Sequence, residues 1–288
     1  MKKSFTLFFA FIMALGLTAQ DRYLNEVFTE VQVTSDVVYG VNATVLLLPV
    51  AGEGVRIRLT MDIYEPVGDT ETSMPLMLVF HTGNFLPNVL NGQISGTKQD
   101  SSVVEICTQL ARRGYVAASV TYRTGWNPLA TTQPERALGL IQAAYRGVQD
   151  GRNAVRYFRA DAENANQYNI DTERISVFGV GTGGYLTLAL ATLSSYQEII
   201  TTTNSPGTFL LDTDMDGVPD TPMVIEAFHG DINGEVLTVT PADGSSVPFG
   251  LPPSDTTNYV NFAGISSDID LCINIGGALG DISWMSDN

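Results

Sequence analysis

Four short apolar runs punctuate the chain, and between them apolar positions recur at helical spacing. Residues 75–81, PLMLVFH, are continuously apolar apart from their last position, which predicts a strand buried on both faces. YVAASVTY (115–122), RISVFG (174–179) and LCINIGG (271–277) predict three more of the same kind. VRIRLTMDIYEP (55–66) instead alternates apolar and polar residues, which predicts a half-exposed edge strand. Between these runs, SVVEICTQLARRG (102–114) predicts a helix with a Ser102–Glu105 capping box and Gly114 as its stop. A longer helical stretch runs from Pro134 to about Tyr168, with a break expected near Gly151, and a third helix spans Gly183 to Leu193. Strand and helix in this rhythm predict an α/β fold, a mainly parallel sheet flanked by helices.

The rhythm fails between residues 200 and 268. That stretch is rich in Thr, Asp, Gly and Pro and has no long helical period. In a parallel sheet such an insertion joins adjacent strands at the carboxyl edge, where ligands bind, so it is expected to be a lid or cap.

Charge and cysteine content narrow the setting. The chain carries 15 basic and 31 acidic residues, a formal charge of −16. Nucleic acid and anionic membrane both need a positive surface, so neither is an expected partner. Lys2 and Lys3 precede the apolar run from Phe5 to Leu17, and Leu17-Thr18-Ala19 offers a cleavage site before Gln20. Residues 1–19 are therefore expected to be a signal peptide, and residues 20–288 a secreted or periplasmic domain with no membrane span. Cys107 and Cys272 are expected to be buried free thiols, although export would permit a disulfide between them. Oligomeric state has no sequence signal.

MDIYEP, LVFHTGNF, VAASVTYR, VQDGRNAVRYFR, DTERISVFGVGTGG and INIGGALGDISW occur in an order and spacing that resembles the α/β-hydrolase superfamily, in its secreted carboxylesterase and feruloyl-esterase-like branch. The likeness covers about residues 55 to 200 and resumes near 270. It implies an α/β-hydrolase fold and a small ester or glycan-linked ester as substrate or ligand. It also implies that His81-Thr82-Gly83-Asn84-Phe85 stands in the oxyanion loop, with Thr82 where glycine is usual. His81 would order that loop rather than act as base. Thr182 would follow the nucleophile and supply the second oxyanion N–H. Asp150 would play a structural part, bonding nearby backbone or Arg152.

At the strand-to-helix turn the family carries Gly-x-Ser-x-Gly, and this chain departs from it. Its turn reads Gly179-Val180-Gly181-Thr182-Gly183-Gly184, so Gly181 is a vacated nucleophile position. Acyl transfer needs an atom that attacks and later leaves, and glycine has none. Loss of such a serine costs on the order of 10⁶-fold in turnover. It also relieves backbone strain of about 1–3 kcal/mol, because the turn forces positive φ. Taking Thr182 as the nucleophile would shift the helix start by one residue and point its hydroxyl away from the presented position.

The triad partners are also missing. The chain has two histidines, His81 and His229, and His229 falls in the insertion, before the last apolar run. Asp281 comes one strand too early for the triad acid. The chain is thus expected to be a C-terminally incomplete copy, and residues beyond 288 would have to supply an acid and a histidine.

A further motif is independent of the turn. LDTDMDGVPD sets Asp212, Asp214, Asp216 and Asp220 around Gly217, with Val218 offering its carbonyl. Carboxylates at alternate positions wrap a hard cation, so a structural Ca²⁺ is the expected cofactor, with none required for catalysis. Met223 at the twelfth position excludes an EF-hand proper. Three function classes stay open: a secreted ester hydrolase, a non-catalytic pseudoenzyme that binds esters or glycans, and a calcium-stabilised surface protein.

Overall fold

The computed structural model describes residues 22–239, 249–252, 255 and 261–285; the expected signal peptide lies outside them. Six strands form the main sheet: β1 (Val31–Thr44), β2 (Val55–Pro66), β3 (Met74–Phe80), β4 (Val116–Val120), β5 (Ile170–Val180) and β8 (Leu271–Ile275), in the order β1-β2-β4-β3-β5-β8. β3, β4, β5 and β8 are parallel, while β2 runs antiparallel to both of its neighbours. A two-stranded hairpin, β6 (Leu210–Leu211) and β7 (Thr221–Pro222), lies in the insertion. The helices are α1 (Leu48–Ala51), α2 (Ser101–Arg112), α3 (Gln133–Glu163), α4 (Thr182–Thr192), α5 (Tyr196–Ile200) and α6 (Glu226–His229). None of them, among the described residues, is long and apolar enough to cross a membrane.

The central strands are apolar throughout because both faces are covered. Along β3, Leu76, Leu78 and Phe80 enter the core shared with α3 and α4, while Met77 and Val79 enter a second core against Val103, Cys107 and Ala111 of α2. Period-two alternation sends neighbours to opposite faces, and here both faces are dry.

Five local expectations change. β2 is an inner strand, and one edge is β1, which the pattern did not single out. The other edge is β8, whose apolar run predicts burial on both faces; it has no partner strand beyond it among the described residues, so Leu271 and Ile275 stay about half exposed. Only Met61 to Tyr64 of β2 pair with β4, so its amino-terminal half keeps the alternation of a half-covered strand. The capping box at Ser102 is absent: α2 starts at Ser101 with Asp100 in the N-cap position, and Glu105 accepts a hydrogen bond from Gln109 at 2.7 Å. Gly114 does end the helix, at φ 95°. α3 passes through Gly151 unbroken, since the missing side chain is what lets Leu190 of α4 and Phe80 of β3 pack there. Cys107 and Cys272 are both free, but Cys272 is only half-buried and belongs to the core on the other face of the sheet.

Part of the insertion, 240–248, 253–254 and 256–260, lies outside the described residues; the rest packs along α3. Side chains of α3 donate to its carbonyls: Gln142 to Met223 at 3.0 Å, Tyr145 to Gly230 at 2.9 Å, Gln149 to His229 at 3.0 Å and Asp231 at 2.7 Å, and Arg156 to Asn233 at 2.7 Å. This contact explains why α3 buries polar residues on several sides at once.

Candidate active site

The turn between β5 and α4 is built by close backbone approach. A side chain at Gly179 would collide with the backbone of Gly183 and Gly184, one at Gly183 with the carbonyls of Phe80 and His81, and one at Gly184 with Asn274 and Gly277. These glycines let α4 start directly against the ends of β3 and β8. At the apex Gly181 has φ 56° and ψ −117°, a conformation that strains any residue with a side chain. Its amide donates to Ile275 at 2.8 Å, tying the apex to β8, and its carbonyl accepts from Gly184 at 2.9 Å. The elbow is therefore formed, and it presents nothing that can attack.

The loop after β3 faces this apex. Gly83, Asn84 and Phe85 all have positive φ, at 128°, 58° and 54°. Three such residues in succession persist only where surroundings hold them. Trp126 donates its indole N–H to Asn84 at 2.7 Å, and Gly125 donates to Phe85 at 2.8 Å. Gly83 is packed against Gly96, where a side chain would not fit.

Thr82 is the point of contact. A Cβ built at Gly181 would run into the Thr82 hydroxyl and come within 3.2 Å of the Thr82 Cβ. The side chain that replaces the usual glycine of this loop thus fills the room that a residue at 181 would need. The two departures sit face to face.

His81 is buried. Its Nδ1–H donates to the Thr82 carbonyl, and its ring stacks on Tyr122 with 4.4 Å between centroids. Burial holds its pKa below the usual histidine value, so it is neutral at pH 7. Tyr122, which the sequence reading passed over, joins both halves of the site: its hydroxyl donates to the His81 carbonyl at 2.8 Å and lies 3.3 Å from Thr182 Oγ1. Burial pushes that phenol well above its ordinary pKa, so it stays protonated. Thr182 is buried with its hydroxyl against Tyr122, while its amide belongs to the first turn of α4, where N–H groups have no intrahelical partner.

Asp150 is fully buried and pairs with Arg123, not Arg152. It accepts from the Arg123 amide at 2.6 Å and from its Nε at 2.8 Å. Arg123 also reaches Gln149 at 2.6 Å and Ala43 at 3.2 Å, joining β4, α3 and β1. Arg152 instead donates to Asn233 and to the Leu193 carbonyl. His229 is buried in the insertion, stacked on Phe249 at 4.8 Å and bonded to Ile225 through Nδ1. Asp281 accepts from the amides of Ser205 and Ser283. Neither residue is seen in contact with the elbow.

Of the acidic loop, Asp212, Asp214 and Asp216 bring carboxylate oxygens within 4.8 Å of one another. Asp220 does not join that cluster; it accepts a hydrogen bond from Thr221 at 3.1 Å. Val218 is exposed and donates its amide to Asp216 at 2.8 Å. Three exposed hard-oxygen donors in a turn suit Ca²⁺ with water completing the shell.

With the geometry in hand, comparison with known proteins is informative at the family level. The BD-FAE family model matches residues 61–220, which include β3, the loop after it, the elbow and the acidic loop. No curated protein matches. Among solved structures, the chain is similar to the native form of a thermophilic esterase, Est2, from Thermogutta terrifontis, with 21% identity over 62% of this chain and 50% of that one, TM-score 0.37. A bifunctional GH43-CE protein of Bacteroides eggerthii gives 19% identity over 85% of this chain and 21% of that one, TM-score 0.42. A truncated carbohydrate esterase from gut microbiota gives 17% identity over 88% and 58%, TM-score 0.42. The chain spans about half the length of the Thermogutta esterase chains it matches.

Proposed function

This chain belongs to the BD-FAE family, esterase-type hydrolases built on the α/β-hydrolase fold, and from that premise we propose that it is a secreted member that binds ester or glycan-linked ester groups at the elbow without turning them over by a serine mechanism. One observation carries the reading: the apex of the elbow is Gly181, at φ 56° and ψ −117°. The backbone still has nucleophile geometry, and the oxyanion side, Thr82, Gly83 and the Thr182 amide, still faces it. What remains is a place for an ester carbonyl to rest against N–H donors. What is absent is an atom to form the acyl-enzyme bond.

Nor do the histidines rescue the chemistry. His81 is neutral and orders the loop through Thr82 and Tyr122. A substitute nucleophile at Thr182 is disfavoured because its hydroxyl is engaged with Tyr122. The expected outcome is little or no hydrolysis of p-nitrophenyl acetate by the purified protein, and no labelling by a serine-reactive fluorophosphonate. Strong esterase activity that Thr182→Ala abolishes would overturn the reading and make threonine the nucleophile.

Export through the leader at 1–19 and a Ca²⁺ held by Asp212, Asp214 and Asp216 complete the proposal. The acidic composition and the convergence of those three carboxylates support them. The ion would stiffen the β6–β7 hairpin connection and take no part in catalysis.

A further inference from the structure

A cavity of about 110 Å³ lies between α3 and α4, outside the elbow and beneath the insertion. α3 contributes Ala144 and Tyr145 to its wall and α4 contributes Ala189, while Phe209 and Trp284 close it from the insertion and from the segment after β8. It opens towards solvent past Tyr185, which is 45% exposed.

The chemistry of this wall is one-sided. Of its three polar handles two are committed elsewhere: the Tyr145 hydroxyl donates to Gly230 at 2.9 Å, and the Trp284 indole N–H donates to the Glu198 carbonyl at 3.0 Å. The third, Tyr185, stands at the exposed mouth. Phe209 and Trp284 stack on each other with 5.5 Å between centroids and turn ring surface to the void. A water against the inner wall would find too few partners. The surrounding atoms meanwhile lack contacts on one side, so a guest that fills the space recovers dispersion energy.

We infer that this cavity is a binding site for a single benzene-type ring without polar substituents, distinct from the elbow. Size limits the guest to one ring, since even a cavity of about 150 Å³ lined by apolar side chains holds one benzene. Shape favours a ring over a chain, because the aromatic walls offer edge-to-face and offset contacts. Polarity sets the discrimination. A hydroxyl turned to the inner wall would be buried without a partner and penalised, so toluene is favoured over phenol. The inference is independent of whether the elbow turns over esters, because no residue of the elbow or the oxyanion loop lines the cavity.

Thermal unfolding of the full chain with increasing toluene tests it. Toluene is expected to raise Tm saturably, as any ligand of the folded state does, and phenol at equal concentration is expected to give a far smaller shift. Ala189→Leu and Ala144→Leu fill the void from opposite walls. Each is expected to fold and to weaken toluene binding at least about tenfold, read by isothermal titration calorimetry. Xenon-pressurised crystals provide a measurement that needs no variant, with density expected between Ala144 and Ala189. The inference is overturned by a flat toluene response, by phenol matching toluene, by an unchanged toluene affinity in both leucine variants, or by xenon settling elsewhere.

Discussion

The elbow and the insertion sit at opposite extremes of how a backbone can be held. Around the elbow, strand, turn and helix touch main chain to main chain, and the side chains that would interfere are simply missing at Gly179, Gly183 and Gly184. Among its described residues the insertion has only the short β6–β7 pairing and a Thr238–Leu251 bridge as ladder. Its carbonyls are held by buried side chains of α3, chiefly Tyr145, Gln149 and Arg156. A framework built from glycines does not depend on the residue at its apex, so chemistry can leave Gly181 while geometry stays. A framework built from buried donors has no such tolerance, because each lost donor strands an acceptor.

The largest expected effect comes from the buried Arg123–Asp150 ion pair, next to the Gln149 that holds the insertion. Asp150→Ala leaves Arg123 buried without its partner, and loss of about 3–5 kcal/mol is expected from denaturant midpoints. A loss under about 1 kcal/mol would show that Arg123 finds other partners and that the pair does not help hold the insertion.

Next is acid. Burial, with the Arg146 charge nearby, lowers the His229 pKa to about 4. The unfolded chain binds a proton there near pH 6.5, while the folded chain stays neutral, so stability falls as pH drops from about 6.5 to about 4. The loss attributable to this group approaches about 3 kcal/mol at the lower end. His229→Gln should flatten that part of the profile. An equally steep profile in the variant would place the acid sensitivity elsewhere.

The elbow should yield less. Gly181→Ser restores a side chain to a positive-φ position and drives it into Thr82, at an expected cost of about 1–3 kcal/mol. Thr82→Gly in the same chain should return part of that, so the two changes should couple in a double-mutant cycle. Additive effects would mean that Thr82 swings aside and that the two departures are unrelated.

Calcium is the smallest. Ca²⁺ should raise Tm and EDTA lower it, by an amount equivalent to about 1 kcal/mol at modest saturation. The Asp214→Ala, Asp216→Ala double variant should not respond. An identical melting curve with and without Ca²⁺ would leave an ordinary acidic turn.

Several features were legible in local pattern because local physics produces them. Continuous apolar runs identified β3 and β4, since a strand covered on both faces has no polar side to show. The run that gives β8 located the strand but not its place, for it lies at the sheet edge with Leu271 and Ile275 about half exposed. Gly179 to Gly184 announced the sharp turn, and the identity of residue 181 alone decided that no hydroxyl stands at its apex. The Asp212–Asp216 spacing likewise foretold three carboxylates meeting in one turn.

Other features depend on partners far away in the chain. Val31 to Thr44 carries Thr, Ser and Asp among its valines and reads as nothing definite, yet pairing with β2 makes it the edge of the sheet. Gly151 reads as a helix break, and only the approach of Leu190 turns it into a packing position. Asp150 could have bonded any of several arginines; the fold brings Arg123 to it from the end of β4. Tyr122 and Thr82 gained their roles the same way, one by bridging His81 to Thr182, the other by occupying the room beside Gly181. Periodicity and glycine content act through neighbours in sequence, so the chain itself determined its central buried strands, its sharp turn and the glycine at the apex of that turn. Which side chain fills which space is a matter of contacts between residues tens of positions apart, and that only the tertiary structure decided.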